Sequence, residues 1–299
     1  MTLSNGKKQD DAFSLPTFVT GSVNISSNLL SEWQQACRDK KWMNKRACPG
    51  ECYEPTHFEH FANTFTHGIM IVPSILAGEL LLQSAYLRHL HIGSFDHNQT
   101  HLSEKYVSHS LHYEVSARIY GASLVGLFVV SSIFHWLTWS KCEHPTKTIR
   151  LSDNCCGSAL WEFFHLCDRA IIFTFISGSY TPWLMLSSIH PSLEWLRWGM
   201  WLFVLLGILY SCLLLEKYKL LETILYVAQG LLPALALSTT TEGEHLQALS
   251  VGGFFYLSGV IVFKSDGWIP CAHAIWHMFV AAGAVSHFFT CYNMLYYLP

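Results

Sequence analysis

His273 and His277 stand four residues apart in Ala272-His-Ala-Ile-Trp-His277. On a helix, residues at that spacing share one face, and two imidazoles so placed can offer nitrogens to one metal ion. The run around them is apolar, and ionisable residues inside apolar spans are costly and tend to mark function. His135 closes a second such run, Ser131-Ser-Ile-Phe-His135. Three imidazoles would leave a fourth position open, the arrangement of a catalytic zinc whose bound water titrates near pH ~7. Asp168 adds a carboxyl that could orient that water or accept its proton, and the Ser131 hydroxyl could hold the water or a substrate oxygen. The competing reading is plain: a single histidine in a span is more often an interhelical hydrogen-bond partner than a ligand. The paired spacing weighs against it here.

These residues need elements to position them, and composition says what kind. Of 299 residues, 51% are hydrophobic, 14% aromatic and 13% charged, against roughly 25% charged in an ordinary globular protein. That excludes a disordered chain, a coiled coil, a collagen and a typical cytosolic enzyme. A net charge of -3 gives no basic face for phosphates, so nucleic acid is not an expected partner. A membrane-crossing helix needs about 20 mainly apolar residues. Seven runs meet that need: Gly68–Leu87, Arg118–Trp139, Arg169–Ile189, Trp195–Leu215, Leu220–Thr240, Leu246–Phe263 and Ala272–Leu298. The expected fold is an all-α, seven-helix membrane bundle over residues 53–299, preceded by a polar tail, residues 1–52. Met1–Lys45 lacks the apolar core of a signal peptide, so the first span is expected to direct insertion.

Lysine and arginine set the orientation. With the N-terminus cytosolic, thirteen fall inside (seven in the tail, then Lys141, Lys147, Arg150, Lys217, Lys219 and Lys264). Arg169 stands at the inner mouth of the third span, and only Arg88, Lys105, Arg118 and Arg197 fall outside. The C-terminus is then outside or lumenal. This topology brings His135, Asp168, His273 and His277 to one depth near the inner face, a convergence that was not used to draw the spans. It also puts Cys37, Cys48, Cys52, Cys142, Cys155, Cys156 and Cys167 on the reducing side, with no outer pair for a disulfide. Cys48 and Cys52 read as ordinary thiols in a turn rather than a zinc knuckle.

Other features read as support. Glu59, Asn63 and His67 share a helix face at the inner start of the first span, as a cap-and-anchor cluster or as backing for the metal ligands. Pro73, Pro182 and Pro233 are expected to kink packed helices, and Lys264–Pro270 to form a tight inner turn. Glu79, in mid-span, is expected to hydrogen-bond inward. The outer segment, about residues 88–117, is His-rich and is expected to be a solvated loop carrying the sequon Asn98-Gln-Thr100. Trp33–Trp42 is expected to lie on the membrane surface.

Glu59-His-Phe-Ala-Asn-Thr-Phe-Thr-His67, Ser131-Ser-Ile-Phe-His135, Asp168 and His273-Ala-Ile-Trp-His277, in that order, resemble the progestin and adipoQ receptor family, which includes adiponectin receptors and hemolysin III-like proteins. Phe164-His-Leu-Cys-Asp-Arg169, Gly178-Ser-Tyr-Thr-Pro-Trp183 and Phe263-Lys-Ser-Asp-Gly267 look most like its monocyte-to-macrophage differentiation factor branch. The similarity runs from about Tyr53 to Tyr297. It implies a seven-helix bundle with a cytosolic N-terminus, Zn2+ on His135, His273 and His277, and Asp168 and Ser131 beside the zinc-bound water. It also implies Golgi, endolysosomal or plasma membranes, signalling partners, and hydrolysis of a ceramide-like lipid amide. The sequence departs from the adiponectin-receptor pattern around Asp168-Arg169 and lacks that branch's long N-terminal domain.

Two functions follow. One is a zinc-dependent hydrolase that works on a lipid amide drawn from the bilayer. The other is a non-enzymatic receptor or organelle scaffold in which zinc only ties helices together.

Overall fold

The computed structural model describes residues 20–39, 42–46, 55–95, 103–143, 159–214, 219–238 and 243–297. The expected tail before residue 20, Cys48, Cys52, Asn98, Cys155 and Cys156 lie outside them. The described elements are helical: α1 (Thr20–Asp39), α2 (His57–Gly68), α3 (Ile71–Phe95), α4 (Ser103–Glu143), α5 (Ala159–Leu186), α6 (Leu196–Leu214), α7 (Lys219–Ser238), α8 (Gly243–Lys264) and α9 (Ala272–Cys291). Short 3-10 and π turns precede α6 and follow α9. Six helical segments among the described residues are long and apolar enough to cross a membrane, and α2 with α3 makes one of them, His57–Leu90. This is an integral, multi-pass membrane protein. α5 is 28 residues long but is not among the six. Asp168, Arg169 and the Ser177–Thr181 run lower its mean hydropathy, and it packs between α4, α6 and α7.

Large apolar side chains face outward along the spans, such as Leu202, Leu205, Leu209 and Leu213 of α6. In a bilayer they meet hydrocarbon, and the helical ladder satisfies most backbone polar groups internally. The core joins Leu81 of α3, Tyr120 and Phe128 of α4, Trp183 of α5 and Tyr296 after α9. Small residues allow close approach. A Cβ on Gly178 would collide with the Ser123 hydroxyl of α4, and one on Gly121 would lie 3.1 Å from Cα of Gly78.

The first span is broken at Ile69–Met70, between α2 and α3. Pro73 has no N–H to give the Ile69 carbonyl, which ends the ladder there. Pro182 and Pro233 lie inside α5 and α7.

The His-rich segment departs from expectation: α3 continues to Phe95 and α4 begins at Ser103, so its flanks are helices rather than loop. His89 Nδ1 and Ser110 Oγ, 2.8 Å apart, join the two helices there. At the opposite end, residues expected to belong to a polar tail pack on the bundle. Met43 and Asn44 are buried, and the Arg46 guanidinium lies 5.3 Å from the Trp268 ring centre. Gly267, in the 265–271 turn, has φ 73. A Cβ there would strike the Arg46 backbone, so only glycine fits.

Candidate metal centre

α2 is positioned before anything it carries. Thr56 caps it, and Glu59 completes a capping box, the reciprocal pairing that fixes a helix start. Glu59 is fully buried. Its Oε2 accepts from Thr56 N at 2.8 Å, and its Oε1 accepts from Asn44 N and Cys271 N, both at 3.3 Å. One carboxylate thus ties the 42–46 segment, α2 and the start of α9 together. Asn44 Nδ2 donates to Asp266 Oδ2 at 3.0 Å. Burial raises the Asp266 carboxyl above its ordinary range, and the Asn44 donor partly offsets this. Burial and the nearby Glu59 charge push the Cys271 thiol up to about 11, so it stays protonated and inert at neutral pH.

The anchored start of α9 aims His273 and His277 at α4. Nitrogen atoms of His135, His273 and His277 lie within 4.8 Å of one another, and the group could hold a metal ion. His135 and His277 are buried and His273 is partly buried. The Nε2 atoms of His135 and His273 face each other at 3.3 Å.

Hydrogen bonding fixes which nitrogen of His277 is free. Thr66 Oγ1 donates to the Ala62 carbonyl at 2.8 Å and stands 3.0 Å from His277 Nδ1. With its proton already given, the hydroxyl accepts from Nδ1–H. The lone pair of His277 therefore sits on Nε2, which is buried with no hydrogen-bond partner. A bare, buried acceptor costs free energy unless a cation or donor meets it. His287, nearly three turns further along α9, is the contrast: its Nε2 donates to the Ser179 carbonyl at 3.0 Å. It is an interhelical linker, the role expected of a lone histidine in a span.

Ser131 and Asp168 stand beside the cluster. Ser131 is buried. Its Oγ lies 2.8 Å from His67 Nδ1, with the Asp168 carboxyl nearby. His67 in turn stacks on His277, with ring centres 3.7 Å apart, and its own Nε2 has no partner. α2, α4 and α5 so bring His67, Ser131 and Asp168 together beside a histidine of the metal-competent group. The Glu59/Asn63/His67 face divides between the two roles weighed for it: Glu59 anchors, whereas His67 packs on the cluster. The Asn63 carboxamide is buried with neither atom hydrogen-bonded.

Two features escape sequence reading. Thr66 looks like any helix threonine. Arg169, counted above as an inner charge, turns inward and pairs with Glu222 of α7. Tyr226 Oη donates to Glu222 Oε1 at 3.0 Å, and Arg169 Nε reaches His165 Nε2 at 3.3 Å. A charge two residues inside the apolar run of α7 was the available signal. Glu79 corrects the expectation of an inward bond: it is exposed on α3.

The fold and the cluster define a helical multi-pass membrane protein with a buried triple-histidine group competent for metal. Residues 56–288 match the family described as haemolysin-III related, and the chain belongs to it, within the wider progestin and adipoQ receptor group its motifs resemble. It is 37% identical over 262 residues to monocyte to macrophage differentiation factor of Homo sapiens, covering 88% of this chain and 95% of that one. Hemolysin-3 of Bacillus cereus is 26% identical, covering 81% of this chain and 93% of its own. The Hemolysin-3 homolog of Bacillus subtilis is 29% identical, covering 77% and 92%.

Proposed function

We propose that the protein is a zinc-dependent intramembrane hydrolase of a lipid amide. The observation that carries this is the bare, buried Nε2 of His277 beside the facing His135 and His273 nitrogens. Zinc–imidazole bonds of about 2.0–2.1 Å in a tetrahedron space their nitrogens by about 3.3 Å, and His135 and His273 stand at 3.3 Å. A bound zinc would polarise an amide carbonyl and acidify a water. Asp168, held by Ser131, takes a proton from the attacking water and returns it to the leaving nitrogen as the C–N bond breaks. Fatty acid and amine result. His67 positions Ser131 and does not touch substrate in this account. A lipid substrate is favoured by a cavity of about 330 Å³ between α3, α4 and α9, lined by Pro73, Ala77, Leu124, Phe128, Ala284 and Phe288 among others. Its wall residue Phe128 packs edge-on against His67.

We extend the proposal to seven spans, with α5 as the third, a cytosolic N-terminus, and residence in Golgi, endolysosomal or plasma membranes. The test uses purified protein in lipid nanodiscs with a fluorescent ceramide. Wild type should release fatty acid, and Asp168→Asn should abolish release while keeping the metal. Unchanged turnover in Asp168→Asn would refute the mechanism. Metal-replete wild type without turnover on ceramides would favour the second reading, a signalling scaffold. That reading draws on the way the cluster joins α4 to α9.

A further inference from the structure

Glu79 has no place in the metal chemistry, yet its position is fixed. α3 buries Ser74, Leu81, Ser84 and Ala85 together with Gly78, the face one expects at helical spacing. Gly78 meets Gly121 backbone to backbone: a Cβ on either would lie within 3.1–3.5 Å of the other's Cα. That contact locks the rotation of α3 against α4. Glu79 and Gln83, one turn apart, are consequently exposed among Leu76, Leu80, Tyr86 and Leu87. Arg88, nine residues on, donates to the Tyr297 carbonyl at 2.9 Å and marks the outer boundary. Glu79 lies about 13 Å deeper along the helix, beyond the reach of its own side chain to water. Among the described residues no side chain pairs with it.

A carboxyl group and a carboxamide facing hydrocarbon are costly, and such groups in spans are found turned toward other protein or water. The locked rotation closes the route into the described bundle, and among the described residues no partner stands on this face. We infer that this face of α3 is the contact between two copies of the chain in the membrane. All copies insert with the same topology, so two α3 faces meet in parallel across a two-fold axis along the membrane normal, residue i near its own counterpart. Glu79 of one copy and Gln83 of the other are then offset by one turn, about 6 Å along the axis. Two long side chains turned toward each other span that offset, and the Gln83 amide of each copy donates to the Glu79 carboxyl oxygen of the other. The face carries an acceptor and a donor one turn apart and is complementary to itself. Two such bonds form per pair, flanked by Leu76, Leu80 and Tyr86.

The test is energy transfer between donor- and acceptor-labelled full-length protein in phosphatidylcholine vesicles across a series of protein-to-lipid ratios. Wild type should associate. Glu79→Leu and Gln83→Leu should each weaken association at least tenfold, and Glu79→Gln, which keeps a hydrogen-bonding amide, should stay within threefold of wild type. Leu205→Ala, on the exposed face of α6, should change nothing. Replacing a lipid-facing carboxyl with leucine favours insertion, so loss of fold does not confound the reading, and circular dichroism checks it. A wild type that is monomeric at every ratio, or a Glu79→Leu variant that associates as tightly as wild type, would overturn the inference. Neither result depends on the metal or on catalysis.

Discussion

Thr66→Val isolates one hydrogen bond and asks whether it serves the metal. Valine keeps the shape of threonine and removes only the oxygen. In the wild type that oxygen accepts Nδ1–H of His277 at 3.0 Å while its own proton goes to Ala62 O at 2.8 Å. Without it, Nδ1–H keeps only the Asn63 carbonyl beside it, and the ring is held less firmly with its Nε2 lone pair toward the metal. Loss of such an outer partner typically costs about 10–100-fold in metal affinity, or about 1.4–2.8 kcal/mol. Zinc affinity, measured by chelator competition on protein in micelles, should fall by that amount in Thr66→Val and remain near wild type in Thr66→Ser. Metal-free Thr66→Val should melt modestly lower, by about 1 kcal/mol for the lost hydrogen bond, so zinc affinity and not melting is the deciding readout. If Thr66→Val bound zinc within threefold of wild type, Thr66 would not be what readies His277 for the metal.

Three further outcomes follow. Glu59→Gln puts an amide N–H against backbone donors at Thr56, Asn44 or Cys271, and should cost about 2–3 kcal/mol, read as a lower unfolding midpoint in mixed micelles. Arg169→Met should cost about 3 kcal/mol by stranding Glu222, and Arg169→Met/Glu222→Met should recover most of it; a double variant no better than the single would show that the pair is not coupled. A glycan at Asn98 with none at Asn24, seen as an endoglycosidase-sensitive gel shift, would fit a cytosolic N-terminus, whereas the reverse pattern would invert the topology.

What sequence makes legible here follows from physical period and cost. His273 and His277 stand out because a helix puts them on one face, and their depth beside His135 follows from span boundaries alone. Glu79 misleads because α3 is apolar almost all round, so hydropathy gives it no inner face; the Gly78–Gly121 contact that sets the rotation is a tertiary fact. Composition made residues 88–95 and 103–113 look like loop, yet polar residues continue a helix readily once an apolar span has nucleated it. Arg169 reads as a topology charge until Glu222, from a helix more than fifty residues on, is seen to neutralise it. Thr66 is silent in sequence because the same hydroxyl satisfies its own helix and turns an acceptor toward His277.

The most direct test of the central claim is metal analysis of the detergent-purified protein, wild type beside His273→Ala/His277→Ala. The account predicts close to one zinc per chain in wild type and none in the double variant. Folded wild type that carries no zinc, and takes up none when it is supplied, would contradict it and leave the three histidines as hydrogen-bond partners between helices.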